Sequence, residues 1–297
     1  METLEQQLFG VCATGDTEQL KQLLNYNSKV NIIKRLFYNT PTININCQNI
    51  AGRTPFYVAC GSGGHIEIVK LLLNDKRADI NQADGFGTTP LKIACYFSRI
   101  EIVKLLLNDE RIDVNKEDKN GETPFYFACL RNEVEIVKLL LNDKRINVNQ
   151  ADKDVTPFYR ACFFGSIEVV KLLLNDQRVD INQADKNGIT PFYNACRYGH
   201  FEIISHILAS GRVNLNIKNK DGKTVIEVIR SAKQQVNHFE GEKLYSRVLE
   251  LVEAFERDPN ETRYRLRKEL GLAGNFYFIY FIFQFFNSNF LIIYICF

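Results

Sequence analysis

Hydrophobic and polar residues follow one another in a pattern that recurs along most of this chain. The phrase Glu-Ile-Val-Lys-Leu-Leu-Leu-Asn begins at Glu67, Glu101 and Glu135, and looser copies begin at Glu168 and Glu202. Its apolar residues recur at i, i+3 and i+4, a spacing that predicts an amphipathic helix with one buried face.

A second phrase, Thr-Pro-Phe-Tyr-x-Ala-Cys, precedes each of these helices. Threonine before proline predicts a helix N-cap followed by the first helical residue, so the phrase indicates a short helix. Its Phe, Ala and Cys residues are expected to face inward. The threonines that open the phrase are Thr54, Thr89, Thr123, Thr156 and Thr190, at spacings of 35, 34, 33 and 34 residues, and Thr224 opens a degenerate sixth copy.

Single residues account for the irregular spacings and for the turns between helices. The spacing of 35 comes from an extra glycine at 63–64, and the spacing of 33 from a glycine missing beside Asp154. Gly165 and Gly199 are expected to end first helices, and polar stretches such as 179–188 to form turns between units. A helix pair this short cannot bury its apolar faces alone, so neighbouring units must stack.

With these phrases the chain resembles the ankyrin repeat family, whose repeat has about 33 residues and a Thr-Pro-Leu-His-x-Ala signature. The histidine is replaced by tyrosine in four copies and by Lys92 in Thr89-Pro-Leu-Lys-Ile-Ala-Cys95. The resemblance implies an all-α repeat protein, an ankyrin-type solenoid of helix–turn–helix units with β-hairpin-like connecting loops. The residues that carry it are 47–235.

Four segments are predicted from these patterns. Residues 1–46 form an N-terminal capping repeat with an insertion within 25–40, and 47–235 form the ankyrin repeats. Residues 236–272 form a C-terminal cap, with helices predicted over 241–256 and 259–270. Residues 273–297 form an apolar tail.

The tail has two competing interpretations. Residues 274–297 carry no charge and are long enough to span a bilayer, and basic residues precede them at 263–268. A tail anchor is one interpretation. A retained intron in a gene model is the other, because the residues of the tail are those of AT-rich codons. A buried or aggregating segment is a third, weaker interpretation.

Composition and charge argue against several classes of protein. The 297 residues carry 37 basic and 35 acidic side chains, a net charge of +2, which argues against a dedicated nucleic-acid binder. The polar N-terminus predicts no secretory signal, and eight cysteines are too sparse for a disulfide scaffold. We therefore expect a cytoplasmic or nuclear protein, tethered to a membrane if the tail is genuine.

The candidate catalytic residues favour a structural role. Six cysteines occupy the slot after the first-helix alanine, where we expect them to be buried, reduced and unreactive. The four histidines, His65, His200, His206 and His238, have no neighbouring nucleophile or metal ligand in the sequence. No catalytic residue, metal site or cofactor is predicted, and the chain is not expected to be an enzyme. An enzyme with an unrecognised site is the least favoured alternative.

One arginine recurs in each repeat, and an aspartate stands two residues before most of them. Arg77, Arg111, Arg145 and Arg178 follow Asp75, Asp109, Asp143 and Asp176, and Arg212 continues the row. We expect a solvated, locally neutralised ladder rather than a binding stripe.

Two sets of positions vary from copy to copy while their neighbours stay constant. One set is the two residues after each Ala-Cys, and the other is the tips of the connecting loops. The resemblance to the family implies that these positions lie on the concave surface and on the hairpin tips, which contact ligands. Their aromatic and arginine content matches binding hot spots. The predicted partner-binding residues are Phe86, Thr88, Tyr96, Phe97, Lys119, Asn120, Glu122, Leu130, Arg131, Phe163, Phe164, Ile189, Arg197 and Tyr198.

The function predicted from these observations is that of a non-enzymatic adaptor or scaffold. It would bind another protein, of unidentified nature, on the concave face and hairpin tips, and no nucleic acid. A tail-anchored membrane adaptor is the alternative, and a monomer is expected.

Overall fold

The computed structural model describes residues 3–25, 43–235 and 239–272. They group into two compact units, one made of 1–161 with 175–179 and the other of 162–174 with 180–297, as far as these ranges are described. Within the described ranges the only β pairing is an isolated bridge between Asp152 and Val155. The fold is an all-helical ankyrin solenoid of helix–turn–helix units, as predicted.

The first helix of each repeat begins where the Thr-Pro phrase predicts. The hydroxyl oxygen of Thr54 accepts a hydrogen bond from the Tyr57 N–H at 3.1 Å, and the other four threonines make the same cap. The five helices are Pro55–Val58, Pro90–Tyr96, Pro124–Leu130, Pro157–Phe164 and Pro191–Tyr198.

The extra residue in the first of these repeats is absorbed by a π-helical turn. Pro55–Val58 continues into the π-helix Ala59–Gly63, which ends at Gly64 in a left-handed conformation. A π-turn adds one residue to a helix without displacing the chain beyond it. The spacing of 35 residues therefore leaves the next repeat in register.

The second helices carry the apolar stripe inward. Ile68, Val69 and Leu72 are fully buried, and the corresponding residues of the other repeats are buried too. Left-handed residues separate the two helices of each repeat, among them the predicted Gly165 and Gly199. The second helices are Ile66–Asn74, Ile100–Leu107, Val134–Asn142, Ile167–Asn175 and Phe201–Ser210.

The connecting loops are hairpin-like. At the loop that begins with Asp84, the Asp84 N–H donates to the Thr88 carbonyl at 2.9 Å, and Oδ1 of Asp84 accepts from the N–H groups of Phe86 and Thr88. Loops that begin at Asn49, Asp118, Asp185 and Asn219 repeat this arrangement.

The shortened loop departs from the pattern. Asp152 and Val155 exchange both backbone hydrogen bonds around Lys153 and Asp154, which have φ of 44° and 78°. This is the geometry of a tight two-residue hairpin. This loop is one residue shorter than the others and supplies no N–H donor to Oδ1 of Asp152. That buried oxygen has no hydrogen-bond partner among the described residues.

An asparagine in each loop joins it to the following loop. In the first unit, Nδ2 of Asn81 donates to the Arg111 carbonyl at 2.7 Å, and its Oδ1 accepts from the Asp113 N–H at 2.8 Å. Asn46 and Asn115 make the same two bonds in that unit, and Asn182 makes them in the second.

The arginines that recur along the repeats are neutralised by aspartates, and they also bind neighbouring helices. Arg111 is bound to Asp109 through two hydrogen bonds of 2.9 and 2.6 Å, as expected from the sequence. Its Nη2 also donates to the carbonyl of Leu73, at the end of the preceding second helix, at 2.8 Å. Arg145 and Arg178 bind Leu107 and Leu141 in the same way. Each of these three arginines therefore caps the second helix of the preceding repeat.

The residue that replaces the family's histidine reaches the hairpin of the next repeat. The Tyr57 hydroxyl donates to Oδ2 of Asp84 at 3.0 Å. Lys92 is 5% exposed at its side chain, and its Nζ donates to Asp118 at 2.6 Å and to Glu122 at 2.8 Å. At these two positions the residue in the place of the histidine therefore makes a side-chain hydrogen bond to the neighbouring repeat.

Cysteines fill the slot where the first helices meet. Cys12, Cys60, Cys95, Cys129, Cys162 and Cys196 have no exposed surface. Burial raises the pKa of Cys12 and Cys95 to about 12 and that of the other four well above the ordinary value. These thiols are held protonated in the core.

Both ends of the described chain are helical. Leu4–Thr14 and Thr17–Asn25 form the N-terminal pair. Val225–Gln235 is followed by the two predicted C-terminal helices, Phe239–Arg257 and Pro259–Glu269. In the second unit Pro259–Glu269 packs against Phe201–Ser210. Most of the predicted insertion, His238 and the tail at 273–297 lie outside the described residues.

The burial of the six cysteines predicts slow reaction with thiol reagents. In the native full-length chain, Cys47, which is only half-buried, should react before them. Denaturant should then expose the four cysteines of the first unit together, and likewise the two of the second, because within each unit they share one core. Peptide mapping of the labelled protein measures this order, and rapid native labelling of any of the six would contradict the packing.

The aspartate–arginine pairs predict a loss of stability in acid. The hydrogen bond from Arg111 holds the pKa of Asp109 below its ordinary value of 3.8. A carboxyl with a depressed pKa stabilises the fold above the pKa of the unfolded chain, and that contribution disappears as the pH falls through the folded pKa. Asp109→Asn should therefore lower the free energy of unfolding by up to about 1 kcal/mol at pH 7.

Urea unfolding of the wild type and Asp109→Asn at pH 7, 4 and 2.5 measures this contribution. The difference between the two proteins should shrink below pH 4. A difference that is the same at all three values would show that the substitution acts through something other than the carboxylate charge.

The buried Lys92 predicts a sharp contrast between two substitutions. Lys92→Met removes the cation from Asp118 and Glu122 and should destabilise the chain by about 3 kcal/mol, because buried charge is left uncompensated. Lys92→Tyr should cost less, since Tyr57 occupies the same slot and donates to Asp84. Chemical denaturation measures the free energy of unfolding of both variants. Equal values would contradict a stabilising role for the hydrogen bonds of this slot.

Candidate functional site

The residues that follow each Ala-Cys lie at the exposed ends of the first helices. In the first unit Ala94 and Cys95 are fully buried, whereas Tyr96 and Phe97 are 51% and 42% exposed. Arg131 is exposed at the same slot of the next repeat. The change from buried to exposed occurs within one residue, because the helix ends there.

Three aromatic rings form a cluster in the first unit. The rings of Tyr96 and Phe97 meet edge to face with centroids 5.0 Å apart, and Tyr96 stacks on Phe127 at 5.6 Å. The guanidinium of Arg131 lies 6.0 Å from the centroid of Tyr96, and that of Arg99 lies 5.9 Å from Phe97. Such contacts fix the orientation of the rings.

Phe127 is absent from the residues predicted to contact a partner. It occupies the variable x of Tyr-x-Ala-Cys, where the other repeats have Val58, Ile93, Arg160 and Asn194. The variability of that slot is the signal that could have included it.

A separate aromatic cluster lies in the second unit. The ring of Phe163 contacts those of Phe164 and Tyr198, with centroids 4.9 and 4.8 Å apart. Phe164 and Tyr198 are 54% and 45% exposed, and Phe163 is half-buried. The guanidinium of Arg197, itself exposed, lies 5.9 Å from the Tyr198 ring.

The loop tips present a mixed set of the predicted residues. Phe86 is 68% exposed, and its carbonyl accepts from the N–H of Lys119, which is exposed, at 3.0 Å. Asn120 is also exposed, whereas Thr88 and Ile189 are half-buried, as is Leu130 at the end of its first helix.

Glu122 differs from the other tip residues. Its carboxylate accepts a hydrogen bond from Lys92, and its side chain is only 19% exposed. The sequence gives no sign of this pairing, because Lys92 and Glu122 are 30 residues apart.

Two of the described histidines, His65 and His200, link helices. Nε2 of His65 lies 2.9 Å from the Ala13 carbonyl oxygen, and Nε2 of His200 lies 3.2 Å from that of Phe163. Carbonyl oxygens only accept, so these nitrogens carry the protons. His206 is buried in its helix, and burial lowers its pKa.

The described residues contain no group of three or more His, Cys, Asp or Glu side chains that could hold a metal ion. None of the described helices is long and apolar enough to cross a membrane.

Comparison with solved structures shows the same fold elsewhere. The ankyrin repeat domain of Bcl-3, a member of the IkappaB protein family, is 21% identical with a TM-score of 0.64, over 75% of this chain and 92% of that one. The human ASB11 ankyrin repeat domain is 24% identical with a TM-score of 0.59, over 81% and 96%. At these identities the likeness concerns the fold alone.

Comparison by sequence gives the family directly. No curated protein matches the chain as a relative. Models of ankyrin repeats match residues 8–118, 110–185 and 178–229, which together extend over well over half of the 297 residues. The chain belongs to the ankyrin repeat family.

Proposed function

We propose that this chain is a non-enzymatic adaptor or scaffold that binds another protein through the residues after each Ala-Cys and at the hairpin tips. Ankyrin repeats are generally protein–protein interaction modules, and proteins built from them are typically not enzymes. The proposal adds which residues of this chain make the contact.

The observation that carries the proposal is the exposure of large aromatic side chains at positions where the fold does not need them. Tyr96, Phe97, Phe164 and Tyr198 are each more than 40% exposed. Burying a fully exposed side chain of this size yields about 1.5–3 kcal/mol, so these half-exposed rings retain part of that energy for contact with a partner. Aromatic side chains and arginine also dominate the binding energy of known interfaces.

The proposed contact set follows the sequence prediction with one exclusion. Glu122 is left out because Lys92 already binds its carboxylate. Phe127 is added because it supports Tyr96.

The proposed compartment is the cytoplasm or nucleus. The protonated, buried thiols of the cysteine row suit a reducing environment. A monomer is proposed, and membrane tethering depends on residues 275–297, outside the described ranges.

Alanine substitution tests the proposal. In the first unit Tyr96→Ala with Phe97→Ala, and in the second Phe164→Ala with Tyr198→Ala, should each weaken partner binding by about 1 kcal/mol or more per residue. The free energy of unfolding should change little. Affinity capture by the tagged full-length chain, followed by mass spectrometry, identifies the partner, and a binding isotherm with it gives the affinity.

Phe125→Ala is the matched control, because Phe125 is fully buried in the same unit. It should cost about 3–5 kcal/mol of stability, with unchanged affinity in the folded fraction. If the exposed-residue variants unfold the chain and leave affinity intact, these rings belong to the core and the proposed surface is wrong.

A further inference from the structure

The surface around Tyr96 and Phe97 carries positive charges that no carboxylate balances. Arg131 and Lys119 are exposed, and neither forms an ion pair among the described residues. Among the described residues the guanidinium of Arg99 donates only to the Gly61 carbonyl, at 3.3 Å. These exposed cations are therefore available to carboxylates of a partner.

A chain of side-chain contacts joins the aromatic cluster to the loop tip within the first unit. Tyr96 stacks on Phe127, whose ring centroid lies 5.0 Å from Nζ of Lys92. Lys92 in turn binds Asp118, at the start of the loop that carries Lys119. The ring cluster and the loop that carries Lys119 are therefore joined by contacts through the half-buried Phe127 and the buried Lys92.

The buried amine of Lys92 pairs with two nearby carboxylates and keeps them largely away from solvent. Asp118 and Glu122 bind the buried Lys92 amine, and their side chains are 6% and 19% exposed. The charge of Glu133, which is half-buried, helps to raise the pKa of the buried Cys95 thiol. The exposed Glu117 accepts a hydrogen bond from Gln150. The face that this surface presents to solvent is aromatic and cationic.

The stacking of the rings favours a polypeptide over a nucleic acid. Recognition of single-stranded nucleic acid requires free ring faces on which bases stack. Tyr96 has Phe127 stacked on it and Arg131 above its ring, and Phe97 has Arg99 above its ring. Part of each ring face is therefore already covered, which disfavours base stacking, whereas apolar side chains can pack on the ring surface that remains.

We propose that the surface formed by Phe86, Tyr96, Phe97, Lys119 and Arg131 binds an acidic segment of a partner protein that also carries large apolar side chains. This inference rests on the proposed protein-binding function and specifies the chemistry of the partner. Carboxylates of the segment pair with Lys119 and Arg131, and its apolar side chains pack on the edges of Tyr96 and Phe97.

Selection from a random library of 12-residue peptides displayed on phage tests the inference with the full-length chain. The wild type should enrich peptides that combine Asp or Glu with Phe, Tyr or Leu. Synthetic copies of the enriched peptides should bind the wild type at least tenfold more tightly than the variant Lys119→Glu, Arg131→Glu. Their affinity should fall severalfold between 50 and 300 mM salt, because the attraction is between exposed charges.

A matched control keeps the same change in net charge. Lys76→Glu with Lys144→Glu reverses two exposed lysines elsewhere in the first unit, and should leave peptide affinity within twofold of the wild type. Equal weakening by both double variants would show a general charge effect and overturn the assigned surface.

Other outcomes separate the failure of this inference from that of the proposed function. Enriched peptides without acidic residues, lost on Tyr96→Ala with Phe97→Ala, would overturn the acidic partner and leave the protein-binding function standing. No enrichment by the wild type would overturn both. Displacement of the acidic peptides by a 20-residue oligothymidine that binds more tightly than they do would assign the surface to nucleic acid instead.

Discussion

Every repeat of this chain depends on its neighbours for the burial of its apolar residues. A first helix such as Pro90–Tyr96 has seven residues, too few to be stable alone. Its Leu91, Ala94 and Cys95 have no exposed surface, because Pro124–Leu130 packs against it in the same unit. Stacking is therefore the constraint on which the rest of the architecture depends.

Polar connections give the stack its register. Nearly identical repeats could slide past one another if only apolar contacts joined them. Three kinds of polar contact each join one repeat to the next. They are the hydrogen bonds of Asn81, the hydrogen bond from Arg111 to the Leu73 carbonyl and the ion pair of Lys92 with Asp118. Because Lys92 replaces a tyrosine and meets the additional carboxylate of Glu122, this pairing belongs to one pair of repeats and marks their order.

The same constraint leaves particular positions free for binding. A slot that faces the next repeat must keep its residue, as the six cysteines do. A slot at the exposed end of a helix carries no such demand, and Tyr96, Phe97, Phe164 and Tyr198 occupy such slots. In each unit the aromatic cluster is a consequence of where the helices end, and its arginine neighbours set its charge.

Sequence patterns predicted the repeats well because their signals are local. The Thr-Pro caps, the apolar stripe of the second helices and the buried cysteine slot are each defined within a few residues. The contacts that were missed join residues far apart in the chain, such as Lys92 with Glu122 and Arg111 with Leu73, at separations of 30 and 38 residues. Their recurrence once per repeat, as with Asn46, Asn81 and Asn115, was the available signal. Glu122 looked like a tip residue because only the folded chain places Lys92 beside it.

Hydrogen exchange of the native full-length chain tests the stacking most directly. The N–H groups of Asp113 and Asn147 lie in loops, yet each donates at 2.8 Å to an asparagine of the preceding loop. The stack predicts that these amides exchange as slowly as those in the middle of the adjacent second helices, and only through cooperative opening. Exchange at the rate of an unstructured peptide, with the helices still protected, would contradict the account.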